Sequence, residues 1–280
     1  MPDRQITMHD FFGMTRRGQK RSVNQDQFLV ARLTRTASQL YTSLTHVAHP
    51  FWEHASEAYL LVVADGLGSG GRPASSIAVE VLSEEIAAAA RGYWGLDVES
   101  EHELLERLEG AVRAAHERVV ARNVGSDLLE VSKAATTITM TMLLWPRAYV
   151  LHVGDSRGYY LHGGQLRRFT QDQSVEEALL DSGAIPESEA GQSGLSKVLA
   201  RAVGGEDATP RVGLVDLDEG DVLMLCTDGL TRCVEDDTLR AVLEQDISAQ
   251  QMCEQLLAAA LDADGEDDIT IIIGRMGFIT

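Results

Sequence analysis

Cysteine is scarce and poorly placed for cross-linking. The 280 residues include three, Cys226, Cys233 and Cys253, an odd number with neither a C-x-x-C step nor a Cys/His zinc spacing. This argues against a disulfide framework or structural zinc and for buried, reduced thiols. Long apolar runs are missing too: no stretch approaches the roughly 18 apolar residues of a membrane span. The N-terminal MPDRQITMHDFFGMTRR has no apolar core of signal-peptide length. Basic charge is short, with 24 Lys and Arg against 43 Asp and Glu and a formal net charge of -19, which sets aside nonspecific attraction to nucleic acid or anionic lipid as the main activity. The expectation is a soluble, cytoplasmic protein that uses neither a membrane nor nucleic acid. No Pro/Gly/Ser-rich linker, fixed-period repeat or low-complexity tract divides the chain.

What the chain does have is 44% hydrophobic residues, enough for a sizeable core, in alternating blocks. DQFLVARL (26–33) and YLLVVAD (59–65) are expected strands, separated by a polar surface insertion over about 34–57. Residues 72–90 and 99–123 carry apolar side chains at three- and four-residue spacing and predict a pair of amphipathic helices. From 135 to 170 the composition turns to β-formers, with HGGQ as a glycine turn, and predicts a meander rather than βαβ alternation. Residues 171–196 read as a short helix plus a mobile flap. DVLMLCTDGL (221–230) and DDITIIIGRM (267–276) predict strands on either side of two further helices. Strands flanking helix pairs without a linker predict one α+β domain of stacked sheets covered by helices.

One pattern recurs at distant places. LLVVADG, VLHVGDS and VLMLCTDG each end an apolar strand in Asp, at Asp65, Asp155 and Asp228. DDITIII begins one at Asp267, and Asn24, Gln25 and Asp26 precede another. Asp is a good turn residue, so each alone marks only a turn. Together, on neighbouring strands, they predict a carboxylate cluster. Two bare carboxylates about 4 Å apart repel by roughly 4 kcal/mol at an effective dielectric of 20, so the cluster needs a cation. All-oxygen ligation without Cys or His points to magnesium or manganese, and two such ions can activate a shared water. TRRGQKR adds local positive charge. Arg16, Arg17 and Lys20 read as a solvated run, whereas Arg21, five residues before Asp26, is placed to bind a phosphate bidentately.

These residues resemble a family, the metal-dependent type 2C Ser/Thr protein phosphatases in their bacterial form. The matching segments are GQKRSVNQD, VADGLGSGG, ATT, HVGDSRGYYL, FTQDQS, LARAVGG, GDVLMLCTDGLT and DDIT, in the family's order across nearly the whole chain. The resemblance implies a four-layer α-β-β-α sandwich, two antiparallel β-sheets flanked by helix pairs, as a single catalytic domain over 1–280. It implies hydrolysis of phosphoserine and phosphothreonine on proteins by direct attack of a metal-bridging hydroxide, and a partner Ser/Thr kinase. Carried over by position, Asp65 bridges two manganese or magnesium ions and the Gly66 carbonyl serves the second. Asp228 and Asp267 hold the first, Asp155 with Asp228 a loosely bound third, and Arg21 the substrate phosphate. Gln25, where many members have Glu, and Asp26 are candidates for ligation or for support behind the ligands. The family often has Asp or Asn four residues after the TDG acid, where this chain has Arg232.

Other readings compete. Gly66, Gly68 and Gly71 satisfy G-x-G-x-x-G between a strand and a helix, as in dinucleotide-binding oxidoreductases, but Asp65 would face the pyrophosphate and the downstream meander does not fit a doubly wound sheet. Cys226 to Arg232 satisfies the Cys-x5-Arg loop of cysteine phosphatases, where Asp228 would repel the substrate. A third reading, kept as the alternative, is a degenerate phosphatase domain that binds a phosphoprotein or acts as a regulatory module. Among the histidines, His46, His49 and His54 are expected in an exposed loop, His152 in a structural role within its strand, and His162 in a hairpin turn.

Overall fold

The computed structural model describes residues 8–34, 57–90, 98–123, 133–186, 188, 194–195, 198–263 and 265–278. In order these form β1 (Met8–Arg16), β2 (Gln27–Thr34), β3 (Glu57–Ala64), β4 (Gly66–Leu67), α1 (Gly71–Ala90), α2 (Val98–Asn123), β5 (Ala135–Thr136), β6 (Ile138–Leu144), β7 (Arg147–Val153), β8 (Arg157–His162), β9 (Gln165–Arg168), α3 (Val175–Asp181), β10 (Arg211–Asp216), β11 (Val222–Cys226), α4 (Asp228–Thr231), α5 (Asp236–Leu243), α6 (Ala249–Asp262) and β12 (Ile269–Phe278). The strands make two five-stranded antiparallel sheets, ordered β1-β12-β11-β8-β9 and β10-β7-β6-β3-β2, with β4 and β5 as a separate short pair.

The apolar runs follow from strands covered on both faces, since successive side chains point to opposite sides. On β3, Leu60 and Val62 pack against α1 and α2, while Leu61 and Val63 face the other sheet. On β12, Ile271 and Ile273 meet α5 and α6, while Ile272 faces inward beside Leu223 and Leu225 of β11. Three apolar layers therefore separate four layers of structure, in the order α-β-β-α. Local signals hold the helices: α6 opens on a reciprocal capping box between Ser248 and Gln251, and Ser174 caps α3 by accepting from the Glu177 amide. Among the described residues no helix is long and apolar enough to cross a membrane.

Two expectations need correction. The stretch 135–170 is not one meander: β6 and β7 pair in one sheet, β8 and β9 in the other. The chain passes between them at Gly154–Ser156, where Gly154 has φ +112. The 221–230 run is not all strand, because β11 stops at Cys226 and Asp228–Thr231 forms one helical turn. The edge strand β10 was unexpected, and only Val215 of its six residues is buried, so it lacks a clear apolar pattern. Thr34 and Glu57 pair across the β2–β3 hairpin. Residues 35–56 between them, with His46, His49 and His54, lie outside the described residues, as does most of 187–197 of the expected flap.

This topology positions the site. β3 and β7 both run antiparallel to β6, so they end on the same side, where β2 also begins. In the other sheet that side holds the end of β11 and the starts of β8 and β12, and Arg16 at the end of β1 pairs with Ile269. Asp26, Asp65, Asp155, Asp228, Asp267 and the loop after Arg16 thus share one edge of the sandwich.

Gly110 lies within α2 with open space where a Cβ would stand. Gly110→Ala is expected to stabilise the fold by about 0.5–1 kcal/mol, through lower unfolded-state entropy and better helix propensity. Urea denaturation should show a higher midpoint at unchanged slope.

Candidate metal centre

Asp65 is fixed by its backbone. Its N–H donates to the Thr137 hydroxyl at 3.0 Å, and its carbonyl accepts from the Thr137 N–H at 2.9 Å and the Thr136 hydroxyl at 2.8 Å. The carboxylate is left to face the corner. The glycines that follow let the chain double back: a Cβ on Gly66 would stand 2.4 Å from the Gly71 carbonyl carbon and 2.6 Å from the Gln25 oxygen. Gly68 takes φ +72 at the turn, and its carbonyl accepts from Gln25 Nε2 at 3.0 Å. A Glu carboxylate at position 25 could not donate this bond, so the amide is explained by the loop it holds.

The other acids converge on Asp65. Asp228 is close enough for its charge to act on Asp65. Asp267 receives a bidentate pair from Arg21, Nε to Oδ1 and Nη2 to Oδ2, each at 2.7 Å. Arg232 pairs with Asp228 and lies 3.6 Å from Asp267 Oδ2 and 3.9 Å from Asp155 Oδ2. Asp26 Oδ2 accepts from the hydroxyls of Thr227 at 2.9 Å and Thr270 at 2.6 Å. The Oδ1 atoms of Asp26 and Asp228 are buried without a hydrogen-bond partner. Arg21 therefore sits on a carboxylate rather than standing free for a phosphate.

Asp268, which the strand-end pattern did not distinguish from Asp267, does different work. Its two oxygens accept the backbone N–H groups of Gly18 at 2.9 Å and Gln25 at 2.8 Å, tying the arginine-bearing loop to the start of β12. Arg232 was noted at the place of a family acid, but its pairing with the site's own carboxylates was not foreseen. An Asp–Arg pair four residues apart would have signalled it, had α4 been expected there.

Burial decides the electrostatics. It pushes the Asp65 carboxyl well above the usual carboxylate range, reinforced by Asp26, Asp228, Asp155 and Asp267. Burial likewise raises Asp228 despite Arg232 beside it, and lifts Asp26 and Asp155 to about 7. Asp267 goes the other way: burial acts to raise it, but the Arg21 hydrogen bond and the Asp268 amide prevail and lower it. Buried carboxylates that repel one another, two of them with orphaned oxygens, fit a hard divalent cation. Among the described residues no three His, Cys, Asp or Glu side chains form a ready ligand set, and Arg21 and Arg232 are paired with Asp267 and Asp228. Cation binding at Asp267 would draw that carboxylate away from Arg21.

The rival motifs do not survive. Cys226 is fully buried and its thiol is pushed up to about 12, the reverse of an activated nucleophile. The G-x-G-x-x-G turn belongs to an antiparallel sheet, not a doubly wound one. His152 is structural, with Nδ1 against the Thr139 hydroxyl at 2.9 Å and Nε2 against the Gln171 carbonyl at 3.1 Å.

Residues 46–264 match the protein phosphatase 2C family. The chain belongs to that family. Over 216 residues it is 32% identical to the serine/threonine protein phosphatase PstP of Mycobacterium tuberculosis, a match covering 77% of this chain and 40% of PstP. The chain thus corresponds to less than half the length of that relative. It is 28% identical to the serine/threonine phosphatase stp of Listeria welshimeri over 225 residues, 79% of this chain and 86% of the relative. The crystal structure of the PstP catalytic domain in complex with two manganese ions superposes with a TM-score of 0.71 at 26% identity, covering 96% of this chain and 99% of that one. Within this 2C-family chain, the acids carried over by position meet at one corner, and the carboxylate oxygens are shared with two arginines.

Two outcomes follow from the geometry. Gly66→Ala forces a methyl group into the Gly71 and Gln25 backbone, so it should destabilise the fold by about 1–3 kcal/mol, read by thermal unfolding. Burial lowers His152 to about 4. The unfolded chain protonates this side chain below about 6.5 and the folded chain only near 4, so its contribution is complete above about 6.5 and is lost as pH falls toward 4. The stability advantage of wild type over His152→Gln should shrink by about 2 kcal/mol between pH 7 and pH 5, measured by urea denaturation of both proteins.

Proposed function

We propose that this chain is a metal-dependent protein serine/threonine phosphatase, with residues 1–280 forming one catalytic domain. The observation that carries the reading is the all-oxygen corner, in which the buried Asp65, Asp155 and Asp228 are pushed toward their neutral forms and Asp267 is held ionised by Arg21. Asp65, the Gly66 carbonyl, Asp228 and Asp267 are the groups that would hold two divalent ions, Asp65 serving both. The ions are manganese or magnesium, in line with the two manganese ions of the PstP domain. When bound, such ions neutralise the carboxylates and supply a water of lowered pKa as nucleophile.

The protein's own groups do the rest. Thr136 and Thr137 hold Asp65 in place, and Asp268 fixes the loop that carries Arg21. With Asp267 holding a metal ion, the guanidinium of Arg21 would be free to take a phosphate bidentately. It borders a pocket of about 560 Å³ that Lys20 and Arg232 also line, through which a phosphorylated side chain would arrive. Asp26, hydrogen bonded to Thr227 and Thr270, stands behind the ligands. The substrates assigned are phosphoserine and phosphothreonine proteins in the cytoplasm, phosphorylated by a partner Ser/Thr kinase.

Arg232 on three of the acids favours a second reading, a domain that binds phosphoproteins without turnover. Hydrolysis of p-nitrophenyl phosphate and a phosphothreonine peptide separates the two. EDTA should abolish activity and manganese restore it, while Asp65→Asn and Asp228→Asn should lower kcat about 100-fold or more with unchanged circular dichroism. Activity indifferent to EDTA but lost to iodoacetamide would sink the metal reading. Wild type and both variants hydrolysing equally poorly would favour the binding module.

A further inference from the structure

Arg232, which stands where the family often has Asp or Asn, is set by the structure among the acids. α4 is a single turn on which the Arg232 N–H donates to the Asp228 carbonyl at 2.9 Å. That brings the side chains of residues 228 and 232 to the same face. The guanidinium pairs with Asp228 and reaches toward Asp155 at 3.9 Å and Asp267 at 3.6 Å. This is not an ordinary surface ion pair, because the Asp228 and Asp155 side chains are only 10% and 12% exposed. Arg232 uses one oxygen of Asp228. The other, Oδ1, is buried with no partner. One oxygen of Asp228 is thus given to the protein's own cation and the other is left unpaired.

We propose that Arg232 is a resident cation of this centre: its guanidinium takes the position between Asp155 and Asp228 that a further divalent ion would need, so the chain binds two divalent ions and not three. The inference rests on the phosphatase reading. The guanidinium places a positive charge among Asp155, Asp228 and Asp267, where a further divalent ion would meet it as a like charge. Arg232 cannot deprotonate, so this charge is permanent and survives chelation. The wild-type corner therefore keeps part of its compensation when metal is removed.

The test counts metal rather than turnover. Wild type, Arg232→Ala, Arg232→Asp and Arg232→Lys are equilibrated with manganese, and bound metal is measured by elemental analysis after gel filtration and by calorimetric titration. Wild type should bind two ions and Arg232→Asp three. Arg232→Ala should gain a third site, or bind its weakest ion about tenfold or more tightly, since a unit charge a few ångströms away is removed. Arg232→Lys should stay at two, because it keeps the charge. In EDTA, Arg232→Ala should unfold at a lower temperature than wild type, and manganese should raise its midpoint more. Three ions in wild type, or two in wild type and all variants with unchanged affinity, overturns the proposal while p-nitrophenyl phosphate hydrolysis leaves the phosphatase reading standing. A wild type that binds no manganese and hydrolyses nothing overturns that reading and this proposal with it.

Discussion

Buried carboxylates that cannot shed their charge into water are the constraint on which this structure turns. Asp65, Asp155 and Asp228 lie where the two sheets meet, each more than nine-tenths hidden, and burial pushes each toward its neutral form. Isolated, such charges would cost several kcal/mol apiece. Their persistence together requires positive charge at the same place. Two guanidinia supply part of it, and the orphaned Oδ1 atoms of Asp26 and Asp228 show where the supply stops.

Repulsion within the cluster must be resisted by the backbone, and the surrounding bonds do this. Asp65 is held through both its N–H and its carbonyl. The Thr137 hydroxyl that accepts from Asp65 is 2.8 Å from that of Ser156, next to Asp155 on the crossing between sheets, so two acids from different strand ends share one buried hydroxyl bridge. The Thr227 and Thr270 hydroxyls hold Asp26 from the opposite sheet. These threonines are fully buried and each hydroxyl is hydrogen bonded, so the polar layer costs little while fixing the carboxylates' spacing.

Much of this was legible in the sequence because two periodicities and one residue type carry it. Strands covered on both faces leave continuous apolar runs, and Asp at their ends marks the common edge. The order of strands was not legible: a hairpin has the same pattern whichever sheet it joins, so 135–170 read as one meander although Gly154 carries the chain across. The helical turn at Asp228 was hidden because LMLCTDGL is apolar enough to extend a strand. Its end is set by tertiary contact, a Cβ on Gly229 standing 2.0 Å from the Asp268 oxygen. Asp267 and Asp268 are adjacent and identical in type, and only the direction each side chain takes separates an arginine partner from a backbone tie.

The two departures from the family pattern are better understood as substitutions of function within the same frame than as losses. Gln25 exchanges a charge for a donor, and that donor closes the Gly68 turn behind Asp65. A carboxylate there would add a further negative charge beside acids that burial already disfavours. Arg232 goes further in the same direction by adding a positive charge where the frame is most negative. Each change lowers the electrostatic demand of the corner in the absence of metal. Each also leaves Asp65 and the unpaired oxygen of Asp228 available to a divalent ion.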